Sequence, residues 1–127
     1  MSTPNPGPLG KAADALSAAL EEAEAALADL RLGVTGDVPL GTEGHVLSWE
    51  KQGGTWLLAV RRSRPGEADS YAPLLKASLA HRTLAAEALV TLYAVLLERR
   101  REETERVTNA ATRAKAFADT LRRVEKP

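Results

Sequence analysis

The chain has 127 residues, 44% apolar and 27% charged, with 17 basic and 17 acidic side chains and no cysteine. That length suits a single domain with one core. Zero net charge gives no global attraction to nucleic acid or membrane, and the lack of cysteine excludes disulfides, thiol nucleophiles and cysteine-ligated metals. Aromatic residues make up only 4%, so alanine and leucine must fill most of the core. No apolar run approaches the roughly 20 residues of a membrane span. The first eight residues lack the basic and apolar regions of a signal peptide. A cytoplasmic protein is the expectation, and the high alanine and arginine content suggests a bacterial, GC-rich source.

Residues 1–8 contain Pro4, Pro6, Gly7 and Pro8, which predicts a disordered leader. Residues 9–127 then read as one α+β domain. A first helix is predicted over residues 9–32. Leu9, Ala13, Leu16, Leu20, Ala23, Leu27 and Leu30 step by four and three, and Gly33 sits where a left-handed cap belongs. Lys11 and Arg31 face five carboxylates in residues 1–33, so this end is acidic, whereas residues 71–127 hold a surplus of four positive charges.

Residues 34–64 change character. His45–Lys51 and Thr55–Arg62 read as strands joined at Gln52-Gly53-Gly54, a hairpin signal. Val34–Leu40 offers a third strand, restricted by Pro39 to an edge or a strand end. The expectation is a two- or three-stranded antiparallel meander with one face covered by helices. Asp69 or Ser70 is the predicted cap of the next helix, with Pro73 in its first turn.

Residues 71–125 read as one long helix or two, with a break or kink favoured near residues 104–109. Leu74 to Lys126 contains no glycine or proline. Its residues fall into a heptad frame: Leu89, Tyr93, Leu96, polar Arg100 and Glu103, then Val107, Ala110, Ala114, Phe117, Leu121 and Val124. Steps of three and four keep one stripe on one side of a helix, as in a coiled coil.

Catalytic signals are weak. His45 and His81 fall in no metal-binding or catalytic spacing. General acid chemistry needs a desolvated carboxylate, whereas Glu21, Glu22, Asp69, Glu102 and Glu103 lie in polar stretches and read as solvated surface. Ser17, Ser48, Ser63, Ser70 and Ser78 sit in no nucleophile elbow, and the glycines form no phosphate-binding loop. No cofactor, metal or catalytic residue is assigned. Trp49 and Trp56 flank the hairpin turn and are read as core plugs rather than as a stacking platform for bases.

The leading expectation is a non-catalytic interaction protein, a homo-oligomer with a dimer favoured. Its interface residues are Leu16, Leu20, Leu27, Val107, Phe117 and Leu121. The alternative is a small nucleic-acid-associated regulator using Arg99, Arg100, Arg101, Arg106 and Arg113. Against it stand Glu98, Glu102, Glu103 and Glu105, interleaved at helical spacing, with Glu102/Arg106 and Arg99/Glu103 as i,i+4 pairs.

Overall fold

The computed structural model describes residues 7–125. Helix α1 spans Pro8–Asp29. Four strands follow, β1 (Gly36–Leu40), β2 (His45–Gln52), β3 (Thr55–Arg62) and β4 (Ser70–Pro73). A short 3-10 turn, Leu74–Lys76, leads into helix α2, Leu79–Glu125. The class is α+β: a first helix, an antiparallel sheet and a long last helix. Of the expected leader, residues 1–6 lie outside the described residues, and Pro8 opens α1, where its missing N–H costs nothing.

Strand order in the sheet is β1-β2-β3-β4, antiparallel throughout. The β2–β3 hairpin turns on Gly53 and Gly54 alone, with Gln52 paired to Thr55. Both glycines have positive φ, 56° and 87°, the geometry that matches the twist of a two-residue hairpin. Pro39 sits in β1, an edge strand, as its missing donor demands.

The sheet is one strand larger than the sequence suggests. Ser70–Pro73 pairs with β3, from Arg62 opposite Ser70 to Ala59 opposite Pro73. Four residues ending in proline carry little strand signal, but an edge position tolerates them. The cap of α2 is therefore neither Asp69 nor Ser70. Ser63 donates to Asp69 at 2.8 Å, and the Ser78 hydroxyl accepts from the His81 N–H at 3.2 Å, so α2 begins later than residue 71. Helix α1 also ends earlier than residue 32. Arg31 takes the left-handed turn at φ 49°, which swings Leu32 into the core at 6% exposure.

Alternation along the strands gives the sheet two faces. One carries Val38, Leu40, Leu47, Trp49, Leu58 and Val60, all buried. Both helices cover it, α2 chiefly against β1 and α1 against β3. They contribute Leu20, Ala85, Leu92 and Leu96 to the same core. Each fully buried leucine contributes roughly 2 kcal/mol of transfer free energy. Trp49 lies in this core and stacks on half-buried Trp56, ring centroids 5.8 Å apart. Where β4 has ended, the free N–H of Leu58 donates to the Glu24 carboxylate of α1 at 2.9 Å, locking helix to sheet.

Helix α2 is continuous over 47 residues, about 70 Å. No break occurs at residues 104–109. Arg101 bonds both Glu98 and Glu105, and Arg106 lies 3.9 Å from Glu103, so i,i+3 and i,i+4 pairs bridge the apolar-poor stretch. These are not the pairs that spacing alone suggests. Thr112 turns its hydroxyl back to the Thr108 carbonyl at 3.1 Å, which satisfies it within the helix.

Candidate interaction surfaces

Two features distinguish α2 from an ordinary core helix. Its buried residues are Ala85, Leu92 and Leu96, and none beyond Leu96 is buried. Residues 97–125 thus extend about 40 Å with no buried side chain. The apolar stripe nevertheless continues on the same face. From Leu92 and Leu96 it passes through Glu103 to Val107, Ala110, Ala114, Phe117 and Leu121, in steps of seven, four and three. Val107 is 58% exposed, Phe117 65% and Leu121 49%. A stretch of α2 reaches a mean hydropathy of 1.2 over a length able to cross a membrane, but its Leu92 and Leu96 are bedded on the sheet.

The proposed interface residues of α1 sit differently. Leu20 is buried inside the chain's own core, and Leu16 and Leu27 pack partly against it. They hold α1 on the sheet. Beside them runs an apolar groove lined by Ala26, Leu30, Val90 and Tyr93.

The arginines of α2 do not converge. Arg99 lies in a cleft beside Asp37, Glu50 and Arg61. Arg100 shares a groove with Glu103, and Arg106 and Arg113 share one with Glu102 and Glu105. Successive residues point about 100° apart on a helix, so the run is spread around the shaft among carboxylates.

The uncovered sheet face carries a polar network. Glu50 accepts from Arg61 through both oxygens, from Ser48 at 2.6 Å and from Gln52 at 2.7 Å. Arg61 also stacks over the Tyr71 ring at 4.8 Å. The Arg61 hydrogen bonds hold the Glu50 carboxyl at about 2, against burial that opposes its ionisation.

The fold also unites two residues that the sequence leaves unrelated. The rings of His45, opening β2, and His81, in the first turns of α2, lie 4.3 Å apart. Burial lowers the His45 pKa, followed by His81 and Arg62, while Glu43 opposes them. Their separation in sequence, on a strand and a helix, hides the pair from any motif search. Among the described residues no three of His, Asp and Glu gather to hold a metal ion.

Comparison with protein families, with curated proteins and with solved structures finds no match.

Proposed function

We propose that the protein is a non-catalytic, self-associating interaction module, a homodimer joined through the far half of α2. The observation that carries this reading is the exposed stripe Val107, Ala110, Ala114, Phe117 and Leu121, continuous with the buried face of the same helix. An isolated helix in water is marginal, and a heptad stripe of this kind is stabilised by a second helix. A second copy supplies one with the matching stripe.

Volume favours an antiparallel arrangement. Layers then set Ala114 against Phe117 of the second copy, Ala110 against its Leu121 and Val107 against its Val124. Small meets large, the requirement of close packing. A parallel pair instead stacks alanine on alanine in two consecutive layers, with phenylalanine on phenylalanine beside them.

Solution mass by light scattering tests the reading. The wild type is expected as a dimer, and Phe117→Glu with Leu121→Glu as a monomer of unchanged helicity. A mass that the double substitution leaves unaltered sinks the assignment. Because the chain has no cysteine, disulfide trapping reports the direction. Val107→Cys mixed with Val124→Cys cross-links an antiparallel pair, whereas Val107→Cys alone cross-links a parallel one. Dispersal of the arginines among carboxylates weighs against the nucleic-acid alternative.

A further inference from the structure

The cleft between the β2–β4 end of the sheet and the start of α2 has a volume of about 250 Å³. His45, His81, Ser70, Ser78 and Lys76 line it. Arg62 flanks it, opposite His45 on one side and Ser70 on the other in the strand register. Alternation puts all three on the helix-facing side of the sheet. The Arg62 Nε is buried and has no hydrogen-bond partner among the described residues. Lys76 is exposed at the rim.

From these residues we propose a binding site for a tetrahedral oxyanion, a phosphate or sulfate group, held by the two imidazoles, Arg62, Lys76 and the two serine hydroxyls. The charged side chains lining or flanking this cleft are basic, and Glu43, in the β1–β2 turn, is not among its lining residues. Two imidazoles 4.3 Å apart, with a guanidinium and an ammonium beside them, repel one another when protonated. An anion seated at the ring edges, beside rather than between the touching imidazoles, removes that repulsion and lies next to Arg62, the register partner of His45 and Ser70. The amino end of α2 adds positive partial charge. A metal cation fits the surroundings poorly: Lys76 and Arg62 oppose it, and no carboxylate is among the described residues lining the cleft.

The charged and titratable groups around His45 are His81 of α2, Arg62 of β3, Glu43 of the β1–β2 turn, and Tyr71 of β4 and Lys76, which line the same cleft. Burial and the neighbouring His81 and Arg62 lower the His45 pKa, so they disfavour its charged form. An anion at the cleft favours the charged imidazole, so affinity is expected to rise as pH falls through the histidine range. Sulfate is the cleaner probe of this, since its own charge stays constant there.

The test follows the imidazole C–H resonances of both histidines by NMR, with sulfate replacing chloride at constant ionic strength. Saturable shifts in both are expected, tighter at lower pH and roughly tenfold weaker in Lys76→Met. Inorganic phosphate is expected to give the same shifts. Shifts that do not saturate overturn the site. So does saturation that survives both Lys76→Met and Arg62→Met, because the anion then sits elsewhere. Zinc that binds where sulfate does not would make the pair half of a metal site instead. These readouts are independent of the oligomeric state.

Discussion

Glu50 and Arg61 lie on the open face of the sheet, on either side of the Ser48–Ala59 pair. Their ion pair arches over it, and Ala59 and Ser48 are buried at 0% and 6% exposure although no helix covers that face. With its folded pKa depressed to about 2 from 4.5, Glu50 adds stability that is present above the unfolded value. That stability drains away as pH falls between the two. Glu50→Gln is expected to flatten the acid limb of the stability profile between about pH 4.5 and 2. Near neutrality it should cost about 1 kcal/mol, a modest figure because the Arg61 side chain is 39% exposed to screening water. Urea melts across this range check it, and an acid limb parallel to wild type sinks it. At this scale the sequence is a partial guide. The placing of Trp49 in the core follows from alternation and from the scarcity of other aromatics. The Glu50–Arg61 arch and the His45–His81 contact depend on register and on the docking of α2, which no local pattern encodes.

Among the elements, hairpin and helices were readable because their signals are strong and local: two glycines for a turn, a long run free of breakers for a helix. Strand β4 was not, being four residues that pair only because an edge is available. The continuity of α2 was equally obscured. Threonine and asparagine at 108 and 109 weaken helix propensity, yet no glycine or proline interrupts the run, and i,i+3 and i,i+4 ion pairs lie on either side of them. The meeting of α2 with β1 depends on Gly36. A Cβ built there falls 2.9 Å from Leu96 Cδ2 and 3.3 Å from Val95 Cγ1. Gly36→Ala is therefore expected to push helix from strand and cost about 1–3 kcal/mol, measurable by denaturant unfolding. Unchanged stability would mean that Leu96 moves aside freely.

For the molecule as a whole, α2 is a shaft with its root in the core and its far half in solvent. Heptad spacing is the part of the proposed self-association that is legible in the sequence. The expectation that α1 shares the interface does not fit so easily, because Leu20 is already spent on the chain's own sheet.

An uninterrupted shaft also has a phase. One stripe serves both the sheet and the outer half, so the head's angle about the shaft sets where the outer face points. Excising the seven residues Arg99–Glu105 turns that face by only roughly 20° and draws it about 10 Å closer. Excising the five residues Arg99–Arg101 and Glu102–Glu103 turns it by about 140°. Both shortened chains should still pair, since each keeps the stripe from Val107 onward. What changes is the dihedral angle between the two heads, readable as a new scattering profile for the five-residue excision and a merely shortened one for the seven. The helix acts as a torsional gauge, fixing by residue count how one copy's sheet is oriented toward the other's.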